Sequence, residues 1–148
     1  MKTYLYIILA FVSVGSNAQN HFNLDDGFIA EGYDVVSYFK NKAEEGKPEF
    51  MYTHKGAKLK FISQAHLDQF KANPESFMPQ YGGYCAYAIG DNGKKVDINP
   101  EYFKIENGKL YLFYKTIFKN TLKCWNKEES KNLKSQADKN WAKILDKK

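Results

Sequence analysis

Residues 80–88 have the sequence Gln-Tyr-Gly-Gly-Tyr-Cys-Ala-Tyr-Ala, and the interpretation of the chain depends on them. They place one thiol, that of Cys85, among small and aromatic residues. Gly82 and Gly83 allow a sharp backbone turn or the close approach of another group, because glycine has no Cβ. A cysteine in this setting is a packed apolar side chain, half of a disulfide, or a soft metal ligand. The function depends on which of these it is.

Short strands and hairpins are expected on both sides of this stretch. Residues 49–54 and 57–61 flank Lys55-Gly56, and residues 102–105 and 109–114 flank Asn107-Gly108, a two-residue turn typical of hairpins. Residues 84–89 also fit a strand, ended by the turn at 90–93. The pattern therefore predicts short antiparallel pairings.

Helices are predicted between and after the hairpins. Residues 34–39 favour a helical turn that packs Val36 and Phe39 inward, and Ser63 is a suitable N-cap for a helix over residues 64–71. A longer C-terminal helix is expected after Asn126, with Glu129 as a capping-box partner. Its apolar stripe, typical of core packing, consists of Leu133, Ala137, Trp141 and Ile144. Together these elements predict a small single domain of the α+β class.

The N-terminus has the features of a signal peptide. Lys2 precedes an apolar run over residues 4–14, which is shorter than the roughly 20 residues that a membrane-spanning helix needs. Ser16-Asn17-Ala18 then resembles a cleavage site with small residues. We therefore expect residues 1–18 to be removed, residues 19–148 to form the domain, and the protein to be exported, either periplasmic or secreted. An uncleaved anchor or a buried strand is the alternative.

Composition narrows the possible functions. The net charge is +5 at pH 7, but every basic residue is lysine, which disfavours specific nucleic-acid recognition. Aromatic residues make up 16% of the chain, so an aromatic core is expected, with carbohydrate stacking as the functional alternative. No protease, redox or phosphate-loop motif is present, and we predict that the protein is not an enzyme.

The order of several motifs resembles that of exported YHS-domain proteins, and the block at residues 79–87 is the most specific of them. The other motifs lie at residues 32–39, 50, 56–61, 73–77, 107–112 and 137–141. The resemblance implies a compact α+β fold and, by association with heavy-metal proteins, metal handling. In metal-binding members a Phe-Cys-Ser…Cys pattern stands where this chain has Phe61-Ile62-Ser63 and then His66, so only Cys85 matches a family cysteine directly.

The resemblance makes Cys85 the anchor of a predicted soft-metal site, for which copper, as Cu(I), is the expected ion. His66 is the next candidate ligand by its motif position, Met78 offers a thioether, and His54 is a more remote candidate. Cys85 could instead be an ordinary buried thiol or form a disulfide with Cys124, and we expect the free thiol, partly buried. The alternative function is a non-catalytic structural or protein-interaction module.

Overall fold

The computed structural model describes residues 21–127 and 130–147. The predicted signal peptide and the predicted capping partner Glu129 lie outside the described residues. The strands are β1 (Leu24–Asp25), β2 (Phe28–Ile29), β3 (Lys47–His54), β4 (Ala57–Phe61), β5 (Asn99–Glu106) and β6 (Lys109–Phe113). The helices are α1 (Val35–Tyr38), α2 (Gln64–Ala72), α3 (Pro74–Phe77), α4 (Ala86–Asn92), α5 (Thr121–Trp125) and α6 (Ser130–Asp146).

The strands form one four-stranded sheet and one separate hairpin. The order in the sheet is β1-β2-β4-β3, in which β2 and β4 are parallel and the other pairs are antiparallel. Both predicted hairpins are confirmed: β3 pairs with β4 across Lys55-Gly56, and β5 pairs with β6 across Asn107-Gly108. Since helices pack against both units, the predicted α+β class is also confirmed.

The helix α2 begins as the sequence predicts. The Ser63 hydroxyl accepts a hydrogen bond from the His66 backbone N–H, and Leu67 and Phe70 are buried on the inner face. The short helix α1 buries Val36, as expected, whereas Phe39 is only partly buried and Tyr38 is the fully buried aromatic residue. The prediction is therefore confirmed for Val36, whereas Tyr38 rather than Phe39 is the aromatic residue that is fully buried.

The strand predicted over residues 84–89 is wrong, because residues 86–89 form the N-terminal part of α4 and Cys85 is its N-cap. Ala86 and Ile89 are both buried and lie three residues apart, which is the spacing of one helix face. Gly93 ends the helix in the left-handed conformation, with φ of 70°, and its N–H bonds to the carbonyls of Ala88 and Ile89. The turn residues expected to close a strand thus cap a helix.

Two apolar clusters form the core. The first lies between the four-stranded sheet, α1, α2 and β6, and contains Cys85. The second contains the fully buried Trp125 of α5 and Ala137 of α6. Leu133, Trp141 and Ile144 of α6 pack against it. The predicted apolar stripe of the C-terminal helix is confirmed as a packing surface. None of the helices in the described ranges is long and apolar enough to cross a membrane.

Candidate functional site

The turn at residues 80–83 is in contact with residues 21–23, where the described chain begins. Gly82 and Gly83 have φ angles of 61° and 82°. The backbone N–H of Asn23 donates to the Gly82 carbonyl at 2.8 Å. A Cβ on Gly82 would lie 1.8 Å from the His21 carbonyl oxygen, so only glycine allows this contact. The sequence-based expectation of a sharp turn and a close approach is confirmed.

A cleft of about 420 Å³ opens beside this turn. One side comes from the segment between Met78 and Gly82, and the other from Trp141 and Leu145 of α6. Phe22 of the N-terminal segment also lines it. The cleft therefore depends on three parts of the chain that are far apart in sequence and that the Gly82 turn brings together.

The aromatic wall of the cleft centres on Trp141. The centre of its ring lies 6.2 Å from the centre of the Tyr81 ring and 6.1 Å from that of the His21 ring, and both pairs have edge-to-face geometry. The Tyr81 hydroxyl donates to Asp138 Oδ1 at 2.8 Å. Burial, and then this hydrogen bond to Asp138, raise the pKa of the Tyr81 phenol, so it stays a neutral donor in the physiological range.

A cluster of charged and polar side chains also lines the cleft. Glu75 Oε1 lies 2.7 Å from Lys55 Nζ and 2.9 Å from His54 Nε2. The hydrogen bonds from Lys55 and then from His54 lower the pKa of the Glu75 carboxyl. All three side chains line the cleft, which thus combines apolar and polar walls.

Cys85 lies inside the first core cluster, fully buried, and is a free thiol like Cys124. Its sulfur accepts a hydrogen bond from the Tyr114 backbone N–H at 3.3 Å and lies 3.4 Å from Thr121 Oγ1. Because the Thr121 hydroxyl donates to the Tyr114 carbonyl, its oxygen is left to accept from the thiol. The thiol therefore links α4, β6 and α5, and the expected partial burial of Cys85 is wrong.

His66 is also held in a structural network. Its Nδ1 lies 2.7 Å from Asp34 Oδ2, and its Nε2 lies 2.6 Å from Lys40 Nζ. Since a carboxylate only accepts and an ammonium only donates, Nδ1 carries the proton and Nε2 accepts. The nitrogen that a metal ion would need is thus occupied by Lys40.

Two of the predicted metal ligands, Cys85 and His66, lie in separate hydrogen-bond networks. The partners of Cys85 and of His66 have no residue in common. Met78 is a buried member of the same apolar cluster as Cys85 and also lines the cleft, as does His54. Within residues 21–127 and 130–147, no group of three or more His, Cys, Asp or Glu side chains is arranged to hold a metal ion. A copper ion shared by Cys85 and His66 would therefore require their present hydrogen bonds to open.

The sequence pattern does not reveal the cleft itself. It assigns Trp141 to core packing alone, although this residue packs against the core and also lines the cleft. Asp138 lies three residues before Trp141 in α6, so the two side chains share a helix face. That spacing is the available signal, whereas Phe22 and His21 carry none.

The fold and the cleft define a small α+β domain with a concave site that is lined by both apolar and polar side chains. Comparison of the chain with protein-family models, with curated proteins and with solved structures finds no match. The resemblance to exported YHS-domain proteins therefore stays a prediction from the motifs.

Proposed function

We propose that this chain is an exported, non-catalytic binding module whose site is the cleft beside the Gly82 turn. The observation that carries the proposal is the cleft itself. Its volume of about 420 Å³ falls within the roughly 300–1,000 Å³ of small-molecule sites, which are mostly apolar with a few polar groups. Export rests on the signal-peptide pattern of residues 1–18.

The lining indicates the chemistry of the ligand. Trp141, Tyr81 and Phe22 offer aromatic surface, while Glu75 and Asp138 offer carboxylate oxygens. A small amphipathic molecule, or a short peptide segment with an apolar side chain, would place its apolar part against the rings. Its hydrogen-bond donors would then face the carboxylates.

A binding role fits the chemistry of the buried residues better than a catalytic one. A nucleophilic site needs a thiol or hydroxyl in contact with a base that a third group orients. Asp34 does orient His66. However, the unprotonated nitrogen of His66, Nε2, accepts from the Lys40 ammonium and is not in contact with a nucleophile. The Cys85 thiol is fully buried and is bonded to Thr121 instead.

The proposal is tested with anilinonaphthalene sulfonate as a fluorescent apolar probe. Leu145 lines the cleft and is 50% exposed, so Leu145→Glu should place a charge of the same sign as the sulfonate at its wall without disturbing the core. We expect this variant to weaken probe binding about tenfold, as the loss of a buried apolar contact would. Met51→Glu is the matched control, because Met51 is 46% exposed and lies on β3, outside the lining of the cleft. Equal binding by both variants would contradict the proposal.

Soft-metal binding is our second proposal. The observation in its favour is that Met78 lines the cleft together with His54 and His21, and thioether and imidazole donors suit copper ions. Cys85 would join such a site only if its bonds to Tyr114 and Thr121 opened.

The metal proposal is tested by titrating the reduced protein with Cu(I) against a competing chelator. About one bound equivalent is expected, and Met78→Leu should weaken it. A Cys85→Ser variant that loses Cu(I) would assign the anchor to Cys85, and His66→Ala tests the ligand that the motif position suggests. No Cu(I) uptake by the parent protein would remove the metal proposal and leave the binding cleft untouched.

A further inference from the structure

Two large apolar side chains project from the turn between β6 and α5. Ile117 is 87% exposed and Phe118 is 93% exposed, well above Met51 and Leu145, the other exposed large apolar residues in the described ranges. Most exposed apolar residues occur singly and need no explanation. Two adjacent ones at the tip of a turn belong to neither apolar cluster of the described residues, so packing within these residues does not explain their presence.

The turn that carries them is held in a defined shape. Lys115 and Asn120 form an isolated antiparallel bridge at its base. Inside it, the Thr116 N–H donates to the Lys119 carbonyl at 2.9 Å, and the Lys119 N–H donates to Thr116 Oγ1 at 3.2 Å. The two apolar side chains are therefore presented by a hydrogen-bonded turn rather than by an unstructured loop.

Lysines surround the apolar tip. Lys115 and Lys119 flank it in sequence, and the exposed Lys123 follows on α5. The ammonium of Lys119 lies 5.2 Å from the centre of the Tyr87 ring, which keeps the charge close to the base of the turn. Lys115 lines a shallow depression together with Glu31 and Glu101, and these carboxylates offset its charge. The net positive charge is therefore concentrated toward Lys119 and Lys123.

We propose that Ile117 and Phe118 insert into the headgroup region of an anionic lipid surface, while Lys119 and Lys123 contact the lipid phosphates. A narrow apolar tip with basic neighbours suits shallow insertion into a membrane interface, where apolar burial and attraction to anionic lipids act together. A stable protein partner would need roughly 800 Å² on this side. The other exposed large apolar residues of the described ranges, Met51 on β3 and Leu145 on α6, belong to other elements and do not extend this tip into such a patch.

The experiment is co-sedimentation of the exported protein with vesicles of phosphatidylglycerol and phosphatidylethanolamine, compared with vesicles of phosphatidylcholine alone. The parent should bind the anionic vesicles, and added salt should weaken the binding because the lysine contribution is screened. Ile117→Ser with Phe118→Ser should lower the affinity about tenfold or more, since two apolar side chains are lost from the interface. Lys119→Glu with Lys123→Glu should also reduce it.

The matched control is Met51→Ser, which removes an exposed apolar side chain elsewhere and should bind like the parent. Because Ile117 and Phe118 are almost fully exposed, the double serine variant should keep the parent's unfolding temperature. Any lipid affinity of a retained leader would be the same in parent and variants, so the comparison isolates the turn. Absence of binding to anionic vesicles, or equal binding by parent and double serine variant, overturns the proposal. A change of oligomeric state in that variant without any lipid binding would assign the tip to a second copy of the chain and would also overturn it.

Discussion

At the scale of single residues, Asp34 is the polar residue on which the first cluster depends most. It is fully buried, and its Oδ1 accepts from the backbone N–H groups of Val36 and Ser37. Its Oδ2 accepts from the Ile62 N–H and from His66. One carboxylate thereby caps α1 and joins it to β4 and α2.

Asp34→Ala should therefore destabilise the fold strongly. Removal of one partner from a buried ion pair or hydrogen-bond network costs about 3–5 kcal/mol, because the remaining groups lose their partner. Urea unfolding measures the change, and Asp146→Ala at the exposed end of α6 is the control, expected within about 0.5 kcal/mol. A loss below about 1 kcal/mol for Asp34→Ala would mean that water replaces the carboxylate at little cost.

A second residue-scale prediction separates backbone strain from close contact. Gly82→Ala should be destabilising because its Cβ would overlap the His21 carbonyl, whereas Gly108→Ala meets no atom within 4 Å. Both glycines have a positive φ, 61° and 70°, so the strain that alanine adds is similar, about 1–2 kcal/mol. Urea unfolding should show a larger loss in the free energy of unfolding for Gly82→Ala than for Gly108→Ala. The Gly82→Ala substitution should also weaken probe binding in the cleft. Equal losses would show that the N-terminal segment moves aside freely.

At the scale of elements, the two tryptophans have different roles. Trp125 of α5 is 1% exposed and packs against Tyr111 and Phe113 of β6, whereas Trp141 of α6 is only partly buried. Trp125→Ala should cost about 3–5 kcal/mol, as large-to-small changes in a core do. Trp141→Ala should cost less and should abolish the binding of the probe to the cleft. Thermal or urea unfolding with parallel probe titrations tests this, and the reverse order of stabilities would contradict the assignment.

At the scale of the whole molecule, buried phenols should determine stability in alkali. Burial raises the pKa of Tyr38 and Tyr81 well above the usual 10.0, and that of Tyr111 to about 12. Below pH 10.0 these phenols are neutral in both the folded and the unfolded chain, so the free energy of unfolding keeps their full contribution. This contribution is lost as the pH rises further, since the unfolded chain ionises first.

The free energy of unfolding should therefore fall steadily above about pH 10. Tyr111→Phe should make this fall shallower, because one phenol that ionises only in the unfolded chain has been removed. Tyrosinate absorbance of the folded protein should show that part of its 11 tyrosines titrates late. Simultaneous titration of all tyrosines in the folded state would contradict the predicted effect.

The elements can be predicted from sequence where local chemistry determines them. Lys55-Gly56 and Asn107-Gly108 favour hairpin turns, and Ser63 caps a helix by itself, so the sequence predicts these elements correctly. It does not predict α4, because the small and aromatic residues of this helix fit either period, and burial between β6 and α6 decides the conformation. It does not predict the cleft either, because Phe22, Met78 and Trp141 meet only in the folded chain.

The two ends of the described chain lie close together. His21 and Lys147 line one shallow depression, next to Gly93 and Lys94. A short glycine-rich linker could therefore join residues 21 and 147, and new termini could be opened at Asn107-Gly108, an exposed turn where a side chain on Gly108 would point into open space. Such a circular permutant would place purification tags on the β5–β6 turn, away from the lining of the cleft, and would suit immobilisation on a sensor surface.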